Sequence, residues 1–261
     1  MAEQGVVLTV VDGVGQILFD RPASLNALDA DVLQRFWDLS VQATTDPAVR
    51  VITMRGAGKA FTAGGDVAAM AKCPASQRQA LFHRMVSMLH EGLSVLLRSG
   101  KPVIAGVRGV AAGAGFSLAL ASDLVVAARD ARFTMAYTKM GLTPDGGGSF
   151  FLPRVVGQHR AMELMLTNRM LNADEALAWG VANRLCEPAA LESTLQAWAA
   201  ELAAGPAEAL RRAKLVMAND LLHGLEEHLQ VEKHGIVTSS VHGEFETRVA
   251  AFLAKQTAGA R

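Results

Sequence analysis

Residues 102–128 read PVIAGVRGVAAGAGFSLALASDLVVAA, and this stretch decides the fold class. Two short apolar runs, Val103–Val107 and Leu124–Ala127, have the length and composition of buried strands. Between them, the glycines from Gly109 to Gly115 predict a tight turn, and Ala114 to Ala121 predicts an apolar helix. A strand, a glycine turn, a helix and a second strand indicate an α/β architecture.

The chain before this stretch contains further strands and helices. Val6–Val11 and Gln16–Asp20 are rich in β-formers and predict a hairpin. Asp29–Ala43 has helical spacing with Asp29 as its N-cap, Val49–Arg55 reads as a buried strand, and Gln77–Arg98 reads as a long helix. Alternation of strands and helices therefore extends the α/β pattern towards the N-terminus.

The pattern changes after Pro144, where only helices are predicted. They span Phe150–Val156, Arg160–Thr167, Ala173–Trp179, Leu191–Ala203, Pro206–Ala218, Leu222–Ser239 and Glu244–Ala254. We therefore predict a core over residues 1–200 and a helical subdomain over residues 201–261.

Composition excludes several classes of function. Lysine and arginine together number 25, as do aspartate and glutamate, so the formal net charge is zero and no basic surface for nucleic acid is expected. Two cysteines, Cys73 and Cys186, form no disulfide framework and favour a cytoplasmic protein. Arg108 and Asp123 interrupt the apolar stretch, and residues 1–5 lack the basic start of a signal peptide, so no membrane association is expected.

Three glycine-rich segments could carry chemistry. In Phe61–Asp66 the small residues leave backbone N–H groups accessible, while Asp66 is expected to cap a short helix that follows it. In Gly109–Ser117 a helix starts after a strand, and its free N–H groups suit a developing negative charge, although tight packing alone would also explain the glycines.

The third segment, Gly141 to Gly148, places Asp145 between Pro144 and three glycines. Glycine lets a ligand approach the backbone closely, so Asp145 could be an acid or base in a tight pocket. It could also be the N-cap of the following helix. The two roles can coexist, because a capping carboxylate keeps a second oxygen.

Four motifs in this order resemble those of the crotonase, or enoyl-CoA hydratase/isomerase, superfamily. They are Arg21–Leu28, Ala60–Asp66, Gly109–Asp123 and Gly141–Gly157. Each motif is weak alone, but the four in register are specific, and the resemblance runs from about Val6 to at least Leu185. It implies a ββα spiral core, a C-terminal helical trimerisation region and an acyl-CoA thioester as substrate. The Pro-Asp-Gly-Gly form most resembles the phenylacetate-pathway acyl-CoA isomerases.

The resemblance also implies roles for individual residues. By motif position, the backbone N–H groups of Ala63 and Ala114 form an oxyanion hole for a thioester enolate. Two segments match the family's CoA contacts: the first is Ala23, Ser24 and Leu25, and the second is Gly64, Gly65, Asp66 and Val67. Enoyl-CoA hydratases of this family use two glutamates to activate water, and in this chain Ser117 and Tyr137 stand at those positions. Asp145 stands where some isomerases and the aryl-CoA dehalogenases carry a working aspartate.

These observations predict an acyl-CoA isomerase that uses Asp145 as its acid and base, with Ser117 and Tyr137 contacting the substrate. The alternatives are an enoyl-CoA hydratase, a non-catalytic acyl-CoA-binding protein and, more remotely, a thioesterase or dehalogenase. No metal site and no cofactor are expected, because coenzyme A is part of the substrate. The expected partner is a second copy of the chain, in a homotrimer or a dimer of trimers.

Overall fold

The computed structural model describes residues 5–259. Its strands are β1 (Gly5–Val11), β2 (Val14–Asp20), β3 (Val51–Gly56), β4 (Val103–Val107), β5 (Val110–Ala112), β6 (Leu124–Ala128), β7 (Arg132–Thr134), β8 (Leu171–Asn172) and β9 (Arg184–Cys186). Its α-helices are α1 (Ala30–Thr45), α2 (Val67–Lys72), α3 (Ala75–Arg98), α4 (Ala114–Leu120), α5 (Gly148–Val156), α6 (Gln158–Thr167), α7 (Ala173–Ala178), α8 (Leu191–Ala204), α9 (Ala207–Leu221), α10 (Leu225–Ser240) and α11 (Gly243–Gly259).

The strands form two sheets. The larger has the order β1-β2-β3-β4-β6-β9, and the smaller has the order β5-β7-β8. In the larger sheet β1 and β2 are antiparallel and all later neighbours are parallel. The predicted hairpin and α/β architecture are thus confirmed, although the hairpin turn has two residues instead of four. Asp12 and Gly13 both have positive φ, as a right-twisted two-residue hairpin requires.

One face of the larger sheet is covered by α1 and α3. Asp29 caps α1 by accepting hydrogen bonds from the N–H groups of Asp31 and Val32, as the sequence predicted. Phe36 on α1 lies 5.8 Å from Phe19 of β2, measured between ring centroids. This face carries most of the apolar core and, at its edge, the cavity described below.

The opposite face of the sheet is covered by α8. Val51, Ile104 and Val126 alternate with residues facing the main core and pack instead against Leu195 and Trp198. The boundary that the sequence predicted between residues 200 and 201 falls inside this continuous helix. The division of the chain at that point therefore stays a prediction, and the helix itself gives no support for it.

The last two helices return to the main core. Phe245 of α11 packs edge-on against Phe82 of α3, with 5.4 Å between the ring centroids. Ile236 of α10 is buried in the same cluster. Within residues 5–259, none of these helices combines the length and apolar composition needed to cross a bilayer.

Candidate active site

A cavity lies between α2, α3, the start of α4, the turn after β7, and the last two helices. Most of its wall is apolar, with Met70, Met85 and Phe82 among the lining side chains. Within the described part of the chain, Tyr137 and Asp145 are the only polar side chains that line it. The carboxyl group of Asp145 therefore belongs to a cavity whose wall, apart from Tyr137, is apolar.

The backbone around Asp145 explains why three glycines follow it. Gly146 and Gly147 have φ values of 63° and 75°, a conformation that favours glycine. A Cβ on Gly148 would lie 2.5 Å from Ser117 Oγ, which is closer than real Cβ contacts. The helix α5 begins at Gly148 with Gly147 as its N-cap, so the interpretation of Asp145 as a helix cap is wrong. Because the Asp145 carboxyl group does not cap the helix, it is available to a molecule bound in the cavity.

Three buried side chains form a hydrogen-bonded cluster at this point. The Tyr137 hydroxyl donates to Asp145 Oδ1 at 2.6 Å. Ser117 Oγ lies 3.0 Å from Tyr137 Oη and 2.8 Å from the Asp145 carbonyl oxygen. A phenol has one proton, and the shortest distance assigns it to Asp145. The single proton of the Ser117 hydroxyl can be donated to Tyr137 Oη or to the Asp145 carbonyl oxygen, one at a time. The structure thus brings together all three predicted residues.

Burial shifts the protonation of this cluster. Desolvation, assisted by the charge of Glu232, raises the pKa of Asp145 from 3.8 to about 7 against the opposing effect of the Tyr137 hydrogen bond. Desolvation likewise raises the pKa of Tyr137 well above its usual value, so the phenol keeps its proton at neutral pH. Asp145 is therefore able to change protonation state near pH 7.

This shift makes the stability of the protein depend on pH. The folded pKa of Asp145 lies above its ordinary value, so its contribution to stability is present below about pH 4 and is lost as the pH rises through about 7. Asp145→Asn cannot ionise. We expect the free energy of unfolding of this variant, relative to wild type, to rise by about 2–4 kcal/mol between pH 4 and pH 8 in urea titrations.

Asp38→Asn is the matched control for this measurement, because Asp38 is an exposed carboxyl on α1. We expect its difference from wild type to be the same at both pH values. A pH-independent difference for Asp145→Asn as well would contradict the raised pKa.

Two backbone segments with small residues meet beside the carboxyl group. Thr62 and Ala111 form a β-bridge, and a Cβ on Gly64 would lie 2.4 Å from the Ala112 carbonyl oxygen and 3.5 Å from Ala114 N. Glycine at position 64 therefore permits the close approach of the two backbones. The segments that the sequence singled out separately are neighbours at the cavity wall.

One predicted oxyanion donor is corrected by the hydrogen bonds of these segments. The Ala63 N–H donates to the Leu25 carbonyl oxygen at 2.9 Å, so it is not free to bind a ligand. Within residues 5–259, the N–H groups of Gly65 and Ala114 have no protein acceptor, and both residues line the cavity. Ala114 is the first residue of α4, where an N–H group has no partner inside the helix. The amide that is free beside Ala114 is therefore that of Gly65, whereas the amide of Ala63 is already bonded.

The predicted CoA-contacting residues lie in two places. Gly65 and Val67 line the cavity, whereas Asp66 caps α2 by accepting from the Ala69 N–H, as predicted. Ala23 and Ser24 belong to a 3₁₀ turn, Pro22–Ser24, and are exposed and half-buried respectively. Leu25 follows with a left-handed backbone and joins this turn to the cavity wall through its bond to Ala63.

Comparison with known proteins identifies the family. The family model described as enoyl-CoA hydratase/isomerase matches residues 9–259. The chain belongs to this family. It is 36% identical over 245 residues to a 4-chlorobenzoyl coenzyme A dehalogenase-2 from an Arthrobacter species, covering 94% of this chain and 89% of that protein. It is 34% identical over 248 residues to the 1,2-epoxyphenylacetyl-CoA isomerase of Escherichia coli strain K12, covering 95% of each.

Solved structures of the enoyl-CoA hydratase/isomerase family share the fold. An enoyl-CoA hydratase from Mycobacterium avium subsp. paratuberculosis K-10 superposes with a TM-score of 0.87 at 33% identity, covering 96% of this chain and 99% of that one. The predicted crotonase-like fold is therefore confirmed, as is the resemblance to this superfamily. The names of the relatives cover isomerase, dehalogenase and hydratase reactions, so the reaction has to be argued from the site.

Sequence reasoning missed a second layer of polar residues behind Asp145 in this family member. His90 Nε2 accepts from the Gly146 N–H at 3.1 Å, and burial lowers the pKa of this imidazole to about 3. Glu232 on α10 accepts from the N–H groups of Gly147 and Ser149. His228 of the same helix lies 2.8 Å from Ser149 Oγ. A glutamate on the inner side of an otherwise amphipathic helix was the one available signal.

Proposed function

We propose that this enoyl-CoA hydratase/isomerase family member is an acyl-CoA isomerase that moves a double bond. The observation that carries the proposal is Asp145, the one carboxyl group lining the cavity within the described residues, with a pKa of about 7. A group that first removes a proton and then returns it works best with a pKa near the operating pH.

The Gly65 and Ala114 amides supply the second requirement of the reaction. Removing a proton near a thioester places negative charge on the thioester oxygen. Two fixed N–H donors in a water-poor site stabilise that charge, and each such donor is worth roughly 3 kcal/mol. An acyl-CoA thioester seated with its carbonyl oxygen between these amides places its acyl chain along the apolar wall.

The reaction then needs one carboxylate. Ionised Asp145 removes a proton from the carbon next to the thioester carbonyl of a 3-enoyl-CoA, and the electron pair moves onto the thioester oxygen. As the carbonyl reforms, the double bond shifts into conjugation and the far carbon takes the proton back from Asp145. No water is added or lost, and Tyr137 holds the carboxyl group in place through Oδ1.

Ser117 and Tyr137 argue against hydration as the main reaction. They stand at the two positions that the superfamily's hydratases fill with glutamates, and their hydroxyl groups bond to each other and to the Asp145 residue. Neither hydroxyl has a pKa suited to removing a proton from water at neutral pH. Water addition would therefore need Asp145 to serve both steps alone.

The proposal also covers the oligomeric state of the protein and its location in the cell. We infer a homotrimer, or a dimer of trimers, because the superfamily resemblance implies one and α9 exposes Val216 and Met217 at 74% and 76%. A zero net charge and unpaired cysteines favour a cytoplasmic enzyme that requires no cofactor besides the coenzyme A of its substrate.

A substrate comparison tests the proposed reaction. The purified protein is incubated with a 3-enoyl-CoA and, separately, with crotonyl-CoA, and products are separated by chromatography. We expect the 2-enoyl product from the first and turnover at least about tenfold slower for hydration of the second, since the site lacks a second carboxylate. Faster hydration would favour the hydratase, and acyl-CoA binding without any turnover would favour a non-catalytic binding protein.

Dehalogenation is the second candidate, because two dehalogenases are 36% identical to this chain. In that reaction the Asp145 carboxylate would attack an aromatic carbon, expel chloride and leave an ester that water hydrolyses. A pKa of about 7 suits a group that takes up a proton and then returns it, which isomerisation requires and attack by a nucleophile does not. Chloride release from 4-chlorobenzoyl-CoA, with a mass increase on Asp145, would support dehalogenation instead.

A further inference from the structure

The turn after Asp145 donates backbone hydrogen bonds to buried side chains of α3 and α10. Gly146 and Gly147 both have left-handed backbones, and three N–H groups of this turn are taken by buried side chains. Glu232 accepts from the Gly147 N–H at 2.8 Å through Oε2 and from the Ser149 N–H at 2.9 Å through Oε1. The N–H of Gly148, which lies between these two residues, donates instead to the Asp145 carbonyl oxygen at 3.0 Å. Glu232 is therefore held by two amides on either side of Gly148.

The burial of Glu232 is explained by its hydrogen bonds to the turn after Asp145. Its exposure is 4%, and an ionised carboxylate is rarely buried unless hydrogen bonds satisfy it. Ser149 Oγ adds a short hydrogen bond to Oε1. Glu232 is not among the described residues that line the cavity, so it does not touch a substrate there. Its contacts are with the segment that carries Asp145.

We infer that Glu232 is a positioning residue of the proposed isomerase. It fixes the turn of residues 146–149 so that the Asp145 carboxyl group faces the cavity, and its negative charge favours the protonated form of Asp145 that returns the proton. This inference rests on the proposed function for its kinetic consequences, but its structural consequence can be measured without turnover.

The charged and titratable groups around Glu232 come from several elements. On α3, His90 lies 3.9 Å away and is held neutral by its low pKa, with Lys233 contributing to that depression. On α10 itself, His228 lies 3.8 Å from Oε1 and is about one-third exposed. Tyr137 and Asp145 face Glu232 from the cavity side, and its charge raises the pKa of both. The charge of Glu232 thus acts on the proton of Asp145.

The test uses Glu232→Gln, which keeps the shape of the side chain and removes its charge. Infrared difference titration follows the Asp145 carboxyl band, assigned by its disappearance in Asp145→Asn, and needs no substrate. We expect its midpoint to fall by about one pH unit in Glu232→Gln, because a neighbouring negative charge has been removed. The acid limb of kcat/KM for the 3-enoyl-CoA should move by the same amount.

Glu227→Gln is the matched control, because Glu227 is an exposed glutamate on the same helix and the substitution changes the charge equally. Its midpoint and its kinetics should equal those of wild type. Glu232→Ala adds a geometric test: we expect kcat to fall about 10- to 100-fold with KM within about threefold, since the amides of the turn lose their acceptor and Asp145 is misplaced. Melting temperatures show whether each variant is folded.

The outcomes separate this inference from the proposed function. An unchanged Asp145 midpoint in folded Glu232→Gln overturns the inference, even where the wild-type protein is an active isomerase. A lowered midpoint supports it, even where the wild-type protein isomerises none of the acyl-CoA thioesters tried, which would overturn the proposed function alone.

Discussion

Asp145→Asn is expected to lower kcat for isomerisation of a 3-enoyl-CoA by about 10²–10⁴-fold, the usual contribution of a general acid or base. Asparagine preserves the size of the side chain and can still accept the Tyr137 hydrogen bond through its amide oxygen. It cannot take a proton from a carbon acid. The loss should therefore appear in kcat, with the affinity for the acyl-CoA close to that of wild type.

The measurement is a steady-state assay of isomerisation with a separate binding titration by calorimetry. Asp38→Asn, an exposed carboxyl on α1, controls for the charge removed. Near-wild-type turnover of Asp145→Asn, with binding intact, would eliminate Asp145 as the acid and base.

Ala114→Pro is expected to lower kcat/KM by about 10²–10³-fold, because it removes one N–H donor of the oxyanion hole. Proline is tolerated at the first position of a helix, which is where Ala114 stands in α4. The preceding residue, Gly113, has no Cβ to clash with the proline ring. The substitution therefore deletes the amide hydrogen with little expected damage to the helix.

Ala114→Gly distinguishes the effect of losing the amide hydrogen from the effect of losing the side chain, since it removes the methyl group and keeps the N–H. We expect this variant to lose less than about tenfold in kcat/KM, and circular dichroism to show folded protein for both. Equal losses in the two variants would mean that the side chain, and not the amide, is what the site requires.

Local signals were sufficient for most of the fold. Asp29 and Asp66 were predicted as caps from the residue type and the apolar positions that follow, and both accept the expected N–H groups. The short parallel strands were readable because strands buried on both faces are continuous apolar runs. The interpretation of Asp145 as a cap failed because two left-handed glycines delay the start of α5 to Gly148.

The features that sequence reasoning missed depend on contacts between distant parts of the chain. Ala63 and Gly65 are equally small, and only the pairing of the Ala63 N–H with Leu25 shows which amide is free. Glu232 meets a turn 85 residues earlier in the chain, and no periodicity in α10 indicates that contact. A sequence gives the inventory of donors and acceptors, but their assignment needs the tertiary structure.

The shared wall of the cavity has an evolutionary consequence. In the proposed isomerase, the residues assigned to proton transfer and charge stabilisation lie between positions 65 and 145, whereas Ile236 and Phe245 of the last two helices line the same cavity. Reaction type and substrate fit are thus encoded in separable stretches of the gene. Recombination within the family that exchanged residues 225–259 could alter the acyl group accepted while inheriting the chemistry unchanged, provided that a glutamate remained at position 232.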